Sequence, residues 1–191
     1  MPTPPEPDRY RPTLVVGGRA HADWLGYSIE SDLMTPADAW QFRIGPSSAE
    51  LPAAVVEGAP VQVQLVGQTI LSGRIDCLTT EARRDGVDVT LHGRDGAAVL
   101  VDCSAPIFTA RQIGLAEIAA AVARPLGVTR IRIDAATANA RDKISVEPGD
   151  TAWDVIQHAA EANGLWPWFT PDGTLVIGRP TTPAAPVATL K

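Results

Sequence analysis

The chain has 191 residues, 45% of them hydrophobic, with 16 lysines and arginines against 22 aspartates and glutamates and a formal net charge of −6. That size allows one large core or two small ones, and the acidic balance is the wrong sign for gripping nucleic acid through its phosphates. No apolar run approaches the ~20 residues that span a bilayer, and the opening MPTPPEPDRYRP has no signal-peptide core, so a protein made and kept in a cytoplasm is expected.

Residues 1–11 hold four prolines and too little apolar surface to order themselves, which predicts a flexible arm or a strap on a neighbour. From residue 12 the pattern is that of short strands. Thr13–Val16 is apolar and stops at Gly17-Gly18. Residues 27–33 alternate, with Tyr27, Ile29 and Leu33 on one face and Ser28, Glu30 and Asp32 on the other. Trp40–Ile44, Val61–Leu65, Thr69–Ile75 and Val87–Leu91 alternate in the same way, and Arg84-Asp85-Gly86 suits a hairpin turn because Asp-Gly tolerates positive φ. Some six short strands with one apolar face each predict a small antiparallel β-barrel or sandwich over residues 12–105.

The period changes at Gly93–Ala105. Arg94-Asp95-Gly96 breaks the alternation, Ala97–Val101 can make one or two helical turns, and Asp102–Pro106 ends them, so this stretch reads as a seam. A small α+β unit is predicted for residues 106–178. Thr109 and Gln112 fit a capping box ahead of a helix with Leu115, Ile118, Ala119 and Val122 on one stripe, ending at Pro125-Leu126-Gly127. Residues 129–133 alternate as a strand. Thr151 and Asp154 form a second capping box, opening a helix that turns Trp153, Ile156 and Ala160 inward and stops at Asn163-Gly164. Residues 165–177 read as a hairpin about Pro171-Asp172-Gly173, and 179–191 as an extended tail rich in Pro, Thr and Ala.

Catalytic motifs are not apparent, and an enzyme is not expected. Cys77 and Cys103 have no Cys-x-x-Cys partner and read as buried free thiols. Asp154, His158 and Glu161 share a helix face and could hold a metal ion, although a solvated face is the ordinary use of such a pattern. The fold class read from these patterns is therefore α+β, mainly β, with no cofactor and no metal.

Several segments carry a family resemblance. The strand ending in Gly93-Arg94-Asp95, the following LVDCSAP of residues 100–106, the run Ile144–Ile156, and Gly164-Leu165 leading to Asp172–Pro180 resemble the baseplate hub proteins of Mu-type contractile-tailed phages, the tail protein D family. A weaker likeness surrounds Trp40 and Gly73. The resemblance implies a structural virion protein of the tail baseplate, assembled in the host cytoplasm. It implies a homotrimeric ring seated on a central spike protein, meeting the tail tube and other baseplate proteins, through which DNA passes without specific binding. On that reading the wet strand face, including Glu30, Asp32, Gln62, Gln64 and Asp88, would line the channel. Hubs of this kind usually continue into a second barrel, so this chain corresponds to about the N-terminal half. Two other readings compete. Residues 146–156 also resemble the opening of a peptidoglycan-binding LysM module, for which Trp166 and Trp168 on one side of a strand could form a sugar platform. The spike proteins of type VI secretion share the hub architecture.

Overall fold

A computed structural model describes residues 10–45, 52–84, 86–106, 109–110, 113–134 and 144–180. The predicted capping residue Gln112, the turn residue Asp85, the arm before Tyr10 and the tail beyond Pro180 lie outside these residues.

The first half forms one antiparallel sheet from β1 (Thr13–Val16), β2 (Arg19–His21), β3 (Gly26–Glu30), β4 (Ala39–Ile44), β5 (Pro60–Leu65), β6 (Gln68–Arg83) and β7 (Gly86–Asp95). Its strand order is β2-β1-β5-β6-β7-β4-β3. The alternation in the sequence becomes two faces. On the inner side Leu14 lies opposite Val63 and Val16 opposite Val61, while Phe42 lies opposite Leu91. Trp40, Ile44, Leu71 and Ile75 complete this core, with Phe42 fully buried. The sheet curls into a half-barrel with β2 and β3 as open ends. Closure into a barrel needs a ladder between the end strands, and among the described residues the order contains none.

Strand β6 runs eight residues past the predicted end at Ile75. A register shift between Ile75 and Cys77 explains why the alternation did not extend that far. The extra residue, Asp76, lets Ile75 and Leu78, three apart, both pack with the core, which no strict period of two can describe.

The second half contains α1 (Ala98–Asp102), α2 (Leu115–Ala123) and α3 (Ala152–Glu161), with a two-stranded ladder of β8 (Thr109–Ala110) and β10 (Ile144–Ser145). A three-stranded sheet joins β9 (Ile131–Asp134), β11 (Trp166–Phe169) and β12 (Leu175–Gly178), in which β12 is antiparallel to β11 and parallel to β9. The helical stripe predicted for α2 is buried, as are Trp153, Ile156 and Ala160 of α3. Ala97, Leu100 and Ala105 belong to this second core, so the seam divides: Gly93–Asp95 close β7 of the sheet, and the stretch from Ala97 onward packs with the helical half of the chain.

Helix starts divide into one correct and one misplaced. At α3 the Thr151 hydroxyl accepts from the Asp154 backbone N–H at 3.1 Å and the Asp154 carboxylate accepts from the Thr151 N–H at 3.0 Å. Thr151→Ala should therefore cost about 1 kcal/mol in thermal or urea denaturation. At α2 the predicted cap is wrong. Thr109 lies in β8, and the helix begins after Gly114, whose N–H is taken by the Glu117 carboxylate at 3.0 Å. The cysteine expectation also needs correction, since Cys77 is exposed and Cys103 half-buried, both as free thiols.

Candidate functional face

The face of the seven-stranded sheet turned away from the core is polar. Ser28, Gln41, His92 and Cys77 form one row across β3, β4, β7 and β6. Glu30, Ala39, Arg94 and Arg74 form the next. On the other wing Gln62 lies beside Val15 and Ser72, and Gln64 beside Thr13 and Thr69. Register thus brings Glu30, Gln62 and Gln64 onto one face. Asp32 lies beyond β3, in a turn where its carboxylate accepts from the Met34 N–H at 2.9 Å. Asp88 shares the wet face by register but is only 8% exposed, so the expectation of a wetted side chain there does not hold in this chain.

Arg94 organises the middle of this face. Its Nε donates to Asp76 at 2.6 Å, while Nη1 and Nη2 donate to the two carboxylate oxygens of Asp102 at 3.0 and 2.6 Å. One guanidinium thereby ties the bulge of β6 to the last residue of α1, a fork geometry that only arginine supplies. The hydrogen bonds to Asp102 and then Asp76 hold the guanidinium further above its ordinary pKa, and the bond from Arg94 lowers the Asp102 carboxyl. Sequence reading missed this clamp because its members lie 18 and 8 residues apart on three elements. The available signal was the pair of charges, Arg74 and Asp76, flanking Ile75 within an otherwise alternating strand.

Beneath the clamp, Asp95 is a buried carboxyl. Its Oδ1 accepts from the Ala97 N–H at 2.9 Å, and its own N–H donates to the Asp38 carbonyl at 2.9 Å. Burial pushes its pKa up to about 7, with the nearby Asp38 adding to the rise and the Ala97 N–H opposing it. The unfolded chain releases this proton near pH 4, the folded chain near pH 7, so between those values the folded state holds more protons. Stability contributed by this group is present below about pH 4 and lost as pH rises toward about 7. Asp95→Asn keeps an acceptor for Ala97 and removes the titration. Urea unfolding should show a gain of about 1–2 kcal/mol at pH 8 and little change at pH 4.

The remaining candidate residues are engaged elsewhere. Asp154 is held in the α3 cap, Glu161 accepts from Gln157 at 2.7 Å, and His158 is exposed. Among the described residues no group of three His, Cys, Asp or Glu could hold a metal ion. Trp166 donates to the Leu33 carbonyl at 2.9 Å, tying β11 to the turn after β3, and Trp168 packs beside Gly178. Both residues are half-buried, and α3 leads directly into the β11–β12 hairpin.

Comparison with known proteins gives this build a class, the hub proteins of phage-tail baseplates. Residues 12–95 match the N-terminal domain of the Mu phage baseplate assembly protein GpP-like family, and residues 97–179 match the second domain of the baseplate hub protein gp44-like family. The baseplate hub protein gp44 of Escherichia phage Mu is 25% identical over 178 residues, covering 90% of this chain and 46% of that protein. The tail protein from Neisseria meningitidis MC58 superimposes with a TM-score of 0.81 at 35% identity, over 94% of this chain and 53% of the other. The 43 kDa tail protein of prophage MuSo2 from Shewanella oneidensis gives 0.80 at 22% identity, over 90% and 54%, a likeness of fold. The chain belongs to the Mu-type, gp44-like family of baseplate hub proteins. It spans about half the length of these relatives.

Proposed function

We propose that three copies of this chain form a ring at the axis of a contractile tail, between a central spike and the tail tube, with the wet face of the seven-stranded sheet lining the channel. DNA slides past that face without being held. The observation that carries this reading is the shared polar face bearing Glu30, Gln62 and Gln64 opposite a continuous apolar core. A wall between a lumen and packed protein needs one wet and one dry side. The net charge of −6 fits the same role, because like charge removes the phosphate attraction that would retain the polymer. Assembly in the host cytoplasm, incorporation into the virion baseplate and a purely structural role follow from this reading.

Light scattering on the purified chain over a range of concentrations tests the ring. A trimer that captures a spike protein supports it, and a monomer that pulls down with peptidoglycan overturns it in favour of the cell-wall reading. The lumen assignment has its own test. Replacing Glu30, Gln62 and Gln64 together by lysine should create DNA retention that added salt abolishes, where the unmodified protein shows none. Equal behaviour of the two proteins would place the channel elsewhere.

A further inference from the structure

The open end of the sheet at β3 carries apolar surface that no described strand covers. β3 pairs with β4 alone. Tyr27 lies on the core side of this edge, its ring stacked at 6.2 Å on the buried Phe42, yet it stays 51% exposed. Leu33 and Met34, in the turn that follows β3, are 46% and 67% exposed. These three side chains make an apolar strip that starts at the turn and runs back along the strand. Sheet edges of this kind are commonly covered by a loop or blunted by proline.

Three observations bear on what covers it. The first is position. β12 ends at Gly178, opposite Trp166, and the Trp166 indole donates to the Leu33 carbonyl at 2.9 Å. Arg179 and Pro180, both exposed, therefore leave the second half of the chain about one indole's length from the strip. The second is the spacing of prolines at 180, 183 and 186. Polyproline II has three residues per turn, which would put these rings on one ridge and Ala184, Val187 and Leu190 on the adjoining one. Such a ridge suits exposed aromatic and aliphatic side chains, and without N–H groups its prolines cannot continue a β-ladder. At about 3 Å per residue, residues 181–191 reach about 30 Å, against about 17 Å for the length of β3. The third is charge. Residues 179–191 hold Arg179 and Lys191 and no acidic side chain, whereas residues 26–38 hold Glu30, Asp32 and Asp38 and no basic one. Arg94, which shares a row with Glu30, is already held by Asp76 and Asp102.

We propose that residues 181–191 return along β3 of their own chain as a strap antiparallel to it, with the proline ridge on Leu33, Met34 and Tyr27 and the basic side chains within reach of Glu30 and Asp32. The strap ties the second half of the chain to the open edge of the first and keeps that edge from pairing with another strand. It does not rest on the ring reading, because the contact lies within one chain.

Elastase, which cuts after small apolar residues, tests the strap on the full chain through the rate of cleavage after Ala184, Val187 and Ala188, read by mass spectrometry. A strap docked about nine-tenths of the time is cut about tenfold more slowly than a free one. Leu33→Asp combined with Met34→Asp puts charge on two exposed positions outside any strand and should raise that rate about tenfold, with unchanged circular dichroism. Val66→Asp, equally exposed between β5 and β6, should leave the rate unchanged. Met1 and Met34 are the two methionines, so methyl labelling reads the same contact from the other side: Pro183→Asp with Pro186→Asp should shift the Met34 signal. An unmodified chain cut as fast as the double variant, or a Met34 signal indifferent to the proline changes, would overturn the strap. Protection that falls on dilution would place the segment on a neighbouring copy and overturn the contact within one chain. The mass in solution decides the ring separately, whichever way these results fall.

Discussion

Gly93→Ala should destabilise the protein by at least about 3 kcal/mol, because the added methyl has nowhere to go. A Cβ on Gly93 would meet the Arg74 carbonyl oxygen at 2.2 Å and the Trp40 ring at 2.2 Å. The first obstacle is main chain of the paired strand, which cannot turn aside as a flexible side chain would. The second is a ring 2% exposed in the centre of the core. Trp40 lies directly opposite Gly93 in the ladder, so the ring fills the place where a side chain would stand. Relief would require β6 and β7 to part at their bulge, beside the Arg94 clamp. Gly26→Ala in β3 is the control, since nothing lies within 4 Å of its Cβ. It should change stability by less than about 1 kcal/mol. Urea denaturation of the two variants checks the contrast, and equal effects would mean that the sheet relaxes at Gly93.

Phe42→Ala should cost about 3–5 kcal/mol. Phe42 is fully buried and sits among three aromatic rings, Trp24 at 4.7 Å, Trp40 at 5.8 Å and Tyr27 at 6.2 Å. Truncation removes transfer free energy and leaves a cavity that large planar neighbours fill poorly. The loss is confined to the first core, so the variant also asks whether the halves unfold together. The Ser72 hydroxyl bond to the Pro171 carbonyl at 2.6 Å, the Trp166 bond to Leu33 and the Arg94 fork all cross between them. A single transition shifted to lower denaturant is expected. Two separated transitions would show that these ties are too weak to couple the cores.

Helix and strand placement followed from local pattern wherever the local pattern was regular. β4 and β5 each have apolar residues at a period of two, and α2 and α3 carry single apolar stripes, so the chain itself encoded which side of each would be buried. The Thr151–Asp154 cap was readable for the same reason, since all of its atoms lie within four residues. The cap expected at Thr109 failed because a two-residue ladder with β10, a partner more than thirty residues away, took that segment instead. Strand β6 was read short because its bulge at Asp76 breaks the period that defines a strand in sequence.

The candidate face divides along the same line. Alternation alone said that Glu30, Gln62 and Gln64 oppose apolar neighbours, but only the strand order brought β3 and β5, at different places in the sheet, onto one surface. Asp88 has the right parity and is nevertheless shielded, which no pattern along the chain reports. The clamp of Arg94 on Asp76 and Asp102 and the buried carboxyl of Asp95 likewise depend on what lies across from each residue. Composition, periodicity and capping motifs are short-range and were determined by the chain alone. Register, burial of charge and exposed edges are long-range, because each is set by a partner strand or helix distant in sequence, and the tertiary structure decided them.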